Sequence, residues 1–304
     1  MNELLTINIP VFLLIAVGFA AARFRLLDRR AGEGLSEFVY SIATPALVLR
    51  TMTSATLPPA QPWGYWASYF LGVAIVWAIA MLLALRWHER TYAESIVAGF
   101  SAGQANTVLV GIPVILAAFG DAGAAPLFLL IAVHLPVTMT CATLLYEGRK
   151  GVHWAEIAKR LALHPILLAL FAGVILRLLE VTPSGPVKTV IDGIGNAASP
   201  CALIAMGLAL QQYGVQSSLR ETLPIVALKL MVHPALVYVL AFHVFDMPRV
   251  WAGVATLFAA MPTGVNAFLF AARYRVGEPL ASSAIALSTA LALVTTLFWI
   301  WVVL

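Results

Sequence analysis

Ten apolar stretches, each long enough to form a membrane-crossing helix, follow one another along the 304 residues with only short polar connectors between them. A helix needs roughly 20 mainly apolar residues to cross the hydrocarbon core of a bilayer. The chain is 62% hydrophobic and 11% charged, whereas a soluble domain is about 25% charged. The sequence therefore predicts an all-α polytopic membrane protein. The predicted spans are Leu4–Ala22, Ser36–Met52, Trp63–Leu85, Tyr92–Phe119, Ala124–Tyr146, Leu161–Leu179, Val187–Tyr213, Leu223–Phe245, Val250–Tyr274 and Leu280–Val303.

The positive charges indicate how the chain is oriented in the membrane. Most Lys and Arg residues lie after the odd-numbered spans, in the runs around Arg29, Arg90 and Lys150. Cytoplasmic connectors are enriched in these residues, so both termini are expected on the non-cytoplasmic side of a multi-pass protein. This distribution also accounts for the net charge of +4. No basic face with a stacking platform is visible, so nucleic acid is not an expected partner.

The two halves of the chain resemble one another when they are offset by about 155 residues. The predicted organisation is a first five-helix repeat over residues 1–146, a cytoplasmic connector over 147–160, and a second repeat over 161–304. Because five spans are an odd number, the second copy would cross the bilayer in the opposite direction, as in many transporters with inverted repeats. Chance similarity between apolar segments is the alternative. The offset aligns Pro10 with Pro165, Gly18 with Gly173, and Pro45 with Pro200.

Spans four and nine each combine Gly, Pro and Asn in their central part, within residues 104–113 and 261–268. Proline removes a backbone donor and clashes with the preceding turn, so a helix kinks or breaks there. Lipid cannot satisfy the freed backbone groups, which survive only when they are packed in protein or line a wet cavity. Two such helices in corresponding positions indicate a binding site. The candidate substrate-binding residues are Gln104, Asn106, Thr107, Pro113, Pro262, Thr263, Gly264 and Asn266.

The sign of the expected ligand charge follows from the helix ends. Half-helices beginning near Pro113 and Pro262 would each present an N-terminus with roughly half a positive charge. The amides of Asn106 and Asn266 could donate hydrogen bonds to carboxylate oxygens. A monocarboxylate, or one end of a dicarboxylate, therefore fits this site. In the alternative interpretation, the prolines only kink the helices and the asparagines only bond across them.

Three segments together resemble the auxin efflux carrier family, which includes plant auxin carriers and bacterial permeases for malonate, malate and other organic acids. These segments are residues 106–113, residues 261–264 with 268–274, and residues 44–47. The resemblance covers essentially the full chain, although the long cytoplasmic loop of many plant carriers is missing. It implies a secondary transporter or facilitator in the plasma membrane, which in a bacterium is the inner membrane.

The resemblance also implies an arrangement of the spans. Spans four and nine would cross within a mobile transport domain made of spans three to five and eight to ten. Spans one, two, six and seven would form a scaffold that commonly dimerises. Asn106, Pro113, Pro262 and Asn266 would lie at the substrate site, which could hold a small mono- or dicarboxylate such as malonate or malate, or an indole acid. No cofactor is expected.

Lys229 and His233 place ionisable groups inside span eight. An intramembrane charge is costly and indicates a functional site by default. Lys229 could serve as a fixed cation near the crossover, or it could extend its side chain to the membrane surface. His233 could take part in coupling or only in packing. No Asp or Glu falls in the middle of a predicted span, and no pattern of metal ligands is present.

Other classes of function remain as alternatives. Residues 99–103 match the G-x-S-x-G pattern of serine hydrolases, which requires a strand, a sharp turn and a helix. Here the pattern falls on a predicted membrane helix, where small residues permit close helix packing. An intramembrane enzyme is therefore not expected. Broken helices also occur in channel pores, so an anion channel or a membrane receptor of the same fold is the main alternative to a carrier.

Overall fold

The computed structural model describes residues 2–54, 63–148, 159, 163 and 165–304, with side chains described from residue 9 onward except at Ser54. Throughout these ranges the regular structure is helical, and the one extended pairing is an isolated bridge. In this described part of the chain, five helical stretches are long and apolar enough to cross a membrane, which agrees with a multi-pass helical membrane protein. They are Trp63–Trp87, Thr107–Glu147, Gly185–Leu210, Leu219–Val244 and Glu278–Val303. Most of the predicted connector 147–160 and the start of predicted span six lie outside the described residues.

The described residues form fourteen α-helices, numbered in chain order. They are α1 Asn2–Arg23, α2 Arg29–Phe38, α3 Thr44–Ser54, α4 Trp63–Trp87, α5 Tyr92–Gly103, α6 Ile112–Phe119, α7 Ala124–Glu147, α8 Pro165–Leu178, α9 Gly185–Leu210, α10 Leu219–Ala227, α11 His233–Val239, α12 Arg249–Ala260, α13 Asn266–Tyr274 and α14 Glu278–Val303. A π-helical turn, Val39–Ala43, joins α2 to α3, and another, Leu228–Val232, joins α10 to α11. Each of these pairs therefore forms one continuous helix.

Three π-helical turns each end two residues before a proline. They are Val39–Ala43 before Pro45, Thr107–Gly111 before Pro113, and Leu228–Val232 before Pro234. A proline has no N–H and its ring clashes with the carbonyl four residues earlier. A wider turn shifts the pairing by one residue and relieves that clash. These prolines are therefore accommodated within continuous helices and do not break them.

The helices pack in two groups. In the first, α1 and α2 pack on α9, and α3 packs on both α8 and α9. In the second, α4 packs on α5 and α11, while α12 packs on α11 and α14. The groups meet where α6 contacts α1 and α9, and where α14 contacts α1. The middle of the protein is thus formed by helices from both halves of the chain.

Glycines allow the closest approaches inside the first group. A Cβ on Gly18 would overlap the carbonyl oxygen of Ile204, and one on Gly207 would overlap that of Ile15. In a second contact, a Cβ on Gly173 would lie 3.3 Å from the carbonyl oxygen of Leu49. Gly18 and Gly173 are about 155 residues apart, and so are Leu49 and Ile204. The same close contact between the two halves of the chain therefore occurs twice, with the roles of the halves exchanged.

The contact of α1 with α9 can be tested by Gly207→Ala, because the added methyl group would push the two backbones apart. Overpacking of this kind typically costs about 1–3 kcal/mol, so we expect a lower Tm for the detergent-purified protein. Gly193→Ala on the same helix is the matched control, since no atom lies within 4 Å of a Cβ there. A Tm for Gly207→Ala equal to that of Gly193→Ala would contradict this packing.

Candidate functional site

Two helices are interrupted in the middle of the structure, and their extended segments pair with each other. The first break follows α5 at residues 104–106, and the second lies between α12 and α13 at residues 261–265. The backbone N–H of Asn106 donates to the Pro262 carbonyl at 2.8 Å, and that of Gly264 donates to the Gln104 carbonyl at 3.0 Å. Ala105 and Thr263 form the centre of this antiparallel bridge. The two breaks therefore satisfy part of each other's backbone.

Gly264 permits this pairing. A Cβ at this position would lie 2.7 Å from the carbonyl oxygen of Ala105 and 3.3 Å from the backbone nitrogen of Asn106. Backbone atoms cannot move aside as the end of a flexible side chain can. Residue 264 must therefore be glycine for the two segments to pair at this distance.

The N–H group of each central bridge residue is satisfied by a side chain from a neighbouring helix. Ala105 donates to Nε2 of His134 on α7 at 3.3 Å, and Thr263 donates to the hydroxyl oxygen of Ser288 on α14 at 2.9 Å. His134 and Ser288 are about 154 residues apart and fully buried. Their contacts with the breaks were not predicted from the sequence, although the internal repeat places them in corresponding positions. Their roles emerge only when the neighbours of each break are known.

The hydrogen bonds of His134 define its protonation. Since Nε2 accepts the Ala105 N–H, the ring proton lies on Nδ1, which donates to the Tyr69 hydroxyl at 3.0 Å. A proton on Nε2 would remove the acceptor for the Ala105 N–H. The arrangement around the first break therefore requires a neutral His134.

Each helix that ends at a break leaves a carbonyl that must be satisfied. At the end of α5, the Ser101 carbonyl accepts the Thr263 hydroxyl at 3.0 Å. At the end of α12, the Ala259 carbonyl accepts Nζ of Lys229 at 2.5 Å. Lys229 is 0% exposed, so its side chain does not reach the membrane surface. This burial contradicts the alternative in which the ammonium extends to the interface.

The half-helices begin at different residues from those predicted. The sequence predicted their starts near Pro113 and Pro262, but the helical chain resumes at Thr107 as a π turn and at Asn266. Pro113 lies buried in the first turn of α6, beyond the break, because the wider turn accommodates it. Pro262 lies in the pairing itself. The first half-helix thus begins directly after Asn106, and the second begins with Asn266.

The two asparagines have different surroundings. Asn106 is 4% exposed, and its Nδ2 donates to the thioether sulfur of Met206 on α9 at 3.1 Å. Asn266 is partly exposed, and within the described part of the chain its side chain makes no hydrogen bond. Thr107 is also partly exposed. Met206 was not identified from the sequence, because nothing in an apolar helix marks which residue faces a partner.

Other candidate residues are engaged in the structure around the breaks. The Gln104 side-chain oxygen accepts a hydrogen bond from the Thr138 hydroxyl at 2.7 Å, so this side chain links the first break to α7. Nδ1 of His233 lies 3.4 Å from Nζ of Lys229. Among the described residues, no group of three His, Cys, Asp or Glu side chains could hold a metal ion.

Ser101, the central residue of the G-x-S-x-G pattern, lies within α5 and is fully buried. Its hydroxyl has no hydrogen-bond partner among the described residues. The pattern therefore lies on a continuous helix, without the strand and sharp turn that the nucleophile motif requires. A Cβ on Gly99 would overlap the Trp77 ring on α4, so the small residues here permit close packing.

A polar cavity of about 380 Å³ lies where α3, the turn that follows α6 and the first half of α9 come together. The Arg50 guanidinium group lines this cavity, donates to Oδ1 of Asn196 at 2.7 Å and lies 3.8 Å from Oδ1 of Asp192. Lys188 also pairs with Asp192. The positive charges of this cavity are therefore balanced by neighbouring carboxylates. Its lining residues are Arg50, Thr51, Asp121, Lys188, Asp192 and Asn196.

The polar cap on α5 can be tested with Thr263→Val, which keeps the shape of the side chain and removes the hydroxyl. The buried Ser101 carbonyl would lose its side-chain donor, which typically costs about 1–3 kcal/mol. We expect a lower Tm for Thr263→Val and a nearly unchanged Tm for Thr263→Ser, which keeps the hydroxyl. Equal Tm values for the two variants would show that the hydroxyl does not cap α5.

The chain is similar to known proteins over nearly its whole length. The family model described as "Membrane transport protein" matches residues 4–153 and 152–300. A Rhizobium meliloti (strain 1021) protein named "Putative malonate transporter" is 29% identical over 301 residues, which cover 97% of this chain and 94% of that protein. A Methanothermobacter thermautotrophicus protein named "Uncharacterized transporter" is 26% identical over 307 residues, covering 96% of this chain and 95% of that protein. The similarity includes both interrupted helices.

Proposed function

Because the chain belongs to the auxin efflux carrier family of membrane transport proteins, we propose that it moves a small organic anion across the membrane by alternating access. The carboxylate binds where the interrupted helices pair, between Asn106 and Asn266. The single observation that carries this proposal is that both half-helices begin at an asparagine beside the paired segments.

The chemistry of these two helix starts favours an anion. Each helix N-terminus has free N–H groups and roughly half a positive charge. Among the described residues, the Asn106 amide donates only to a thioether, which is a weak acceptor. The Asn266 amide makes no hydrogen bond within the described chain. Carboxylate oxygens are stronger acceptors, so a bound acid would satisfy both amides and both helix ends.

Two observations suggest the substrate class: the positive charge of the two helix N-termini and the name of a similar protein. Two half-charges balance one carboxylate, so a monocarboxylate or one end of a dicarboxylate fits. The name of the Rhizobium meliloti relative suggests malonate. We therefore propose malonate, malate or a related small acid as substrate, with indole acids as a further group to be tested.

Alternating access is supported by the two-fold organisation of the chain. The glycine contacts of α1 with α9 and of α8 with α3 recur at an offset of about 155 residues. The acceptors for the two bridge N–H groups, His134 and Ser288, recur at nearly the same offset. These recurrences support ten spans in two inverted repeats. The packing of α1, α2, α3, α8 and α9 on one another supports a scaffold against which the remaining helices move.

The proposal also covers the membrane location, orientation and oligomeric state of the protein. It is a multi-pass membrane protein, and we propose that it lies in the plasma membrane with both termini on the non-cytoplasmic side, because the basic connectors favour that orientation. A homodimer formed through the scaffold helices is part of the proposal, with the oligomeric state in detergent as its test.

Transport can be measured as capacitive current from liposomes adsorbed on a solid support, with malonate, malate, succinate, acetate and indole-3-acetate as candidate substrates. We expect saturable current and counterflow with one or more of these acids. Asn106→Asp and Asn266→Asp preserve shape but place a negative charge beside the bound carboxylate, so each should lower the current at least about tenfold.

Gln211→Glu is the matched control, because it makes the same change from amide to carboxylate at an exposed residue at the end of α9. Unchanged currents in both aspartate variants would remove the asparagines from the site. Current without saturation or counterflow would indicate a channel, and no current with any acid would refute the organic-anion assignment.

Met206 is expected to compete with the substrate for Asn106. Met206→Leu retains most of the side-chain volume but removes the sulfur acceptor. A substrate can then bind the Asn106 amide without having to displace an internal hydrogen bond. Since a neutral hydrogen bond contributes about 0.5–1.5 kcal/mol, we expect the KM to fall roughly two- to tenfold. Met139→Leu on α7 is the control. A higher KM for Met206→Leu would mean that Met206 helps to bind the substrate and does not compete with it.

A further inference from the structure

Lys229 is a fully buried basic residue that contacts the end of α12, next to the second break. It lies in the π turn that joins α10 to α11, with 0% of its surface exposed. Its ammonium donates to the Ala259 carbonyl at 2.5 Å and lies 3.4 Å from Nδ1 of His233. No carboxylate in the described ranges forms an ion pair with it. An ammonium placed in such a position is costly to desolvate, so its charge requires an explanation.

A comparison of the two breaks shows what the ammonium replaces. Ser101 lies four residues before Ala105, and Ala259 lies four residues before Thr263, so their carbonyls occupy corresponding positions at the two helix ends. The Ser101 carbonyl is capped by the neutral hydroxyl of Thr263. Ala105 has only a methyl group and cannot return this contact. Lys229 caps the Ala259 carbonyl instead, with an amino group where a hydroxyl is enough in the other half.

The groups that face Lys229 are neutral. Nδ1 of His233 accepts from the ammonium, so its proton lies on Nε2, which is buried without a partner among the described residues. The Tyr69 ring lies 5.5 Å from the His233 ring, and Tyr69 also bonds the neutral His134. The Ala259 carbonyl belongs to the C-terminal turn of α12, where the helix carries partial negative charge. A carbonyl oxygen and an imidazole nitrogen therefore surround one cation.

We propose that Lys229 is a resident cation of the transport site, and that the Ala259 carbonyl and the His233 imidazole form a monovalent-cation site when its side chain is removed. This inference rests on the proposed binding of a carboxylate beside Thr263 and adds its charge partner. The ammonium provides the positive charge that a bound metal cation would otherwise supply. Transport by the natural protein is then independent of sodium and potassium.

The proposal separates two roles of Lys229, as a cap and as a charge. Lys229→Gln keeps a donor for the Ala259 carbonyl but removes the charge. A unit charge about 10 Å from a carboxylate, in an effective dielectric of about 20, changes affinity roughly tenfold. We expect Lys229→Gln to fold and to show a KM for the acid raised about tenfold. An unchanged KM would overturn the proposal, because the charge would then be dispensable.

Lys229→Ala and Lys229→Met form a matched pair of variants for a second test. Alanine leaves a cavity next to the carbonyl and the imidazole, whereas methionine fills it. In choline buffer, we expect both to transport at least tenfold more slowly than the natural protein. Sodium or ethylammonium should restore Lys229→Ala and should not restore Lys229→Met. Natural rates for both variants in choline, or no restoration of a folded Lys229→Ala by any cation, would overturn the proposal.

Thermal unfolding provides a readout that does not depend on transport. Sodium or ethylammonium should raise the Tm of Lys229→Ala in a saturable way and leave the natural protein and Lys229→Met unchanged. If the natural protein carries no carboxylate, the proposed function fails, but this cation-dependent Tm still tests the site itself. The absence of any cation effect on Lys229→Ala would contradict a cation site at this position.

Discussion

The rest of the structure depends on two backbone hydrogen bonds, from Asn106 to Pro262 and from Gly264 to Gln104. A helix that breaks in a membrane exposes N–H and C=O groups that lipid cannot satisfy. Here, the two broken helices donate backbone hydrogen bonds to each other and so satisfy some of these groups. Gly264 permits the close approach of their backbones. Four further backbone groups at the breaks are satisfied by the side chains of His134, Ser288, Thr263 and Lys229. The paired breaks are therefore held by both backbone and side-chain hydrogen bonds, and in the proposed function their two helix N-termini face the ligand.

The two halves of the site are similar in backbone and different in chemistry. Each bridge residue donates to a side chain on the next helix, but the acceptor is an imidazole in the first half and a hydroxyl in the second. Each preceding helix ends on a capped carbonyl, but the cap is a hydroxyl in the first half and an ammonium in the second. A repeated fold supplies the geometry, and the side chains that differ between the copies supply the charge. In the proposed function, this division lets a nearly two-fold arrangement hold a ligand that is not two-fold.

Much of this arrangement follows from local sequence. Apolar length predicts the helical membrane class, and the clusters of Gly, Pro and Asn locate both breaks. The helix starts were harder to predict, because a proline can either end a helix or be accommodated by a wider turn. Pro113 follows the second course and Pro262 lies in a true break. His134, Ser288 and Met206 could not be assigned from the sequence, since their roles depend on which helices become neighbours. The repeat alone offered a signal for His134 and Ser288.

The central claim is that a substrate carboxylate lies between the side chains of Asn106 and Asn266. Solid-state NMR can measure this directly with ¹³C-carboxylate malonate, or the best transported acid, bound to protein labelled with ¹⁵N in the asparagine side chains. The account predicts dipolar coupling from the carboxylate carbon to two amide nitrogens about 4 Å away, with one coupling lost in Asn106→Ala and the other in Asn266→Ala. A bound acid whose carboxylate carbon shows no coupling to either amide would contradict the account.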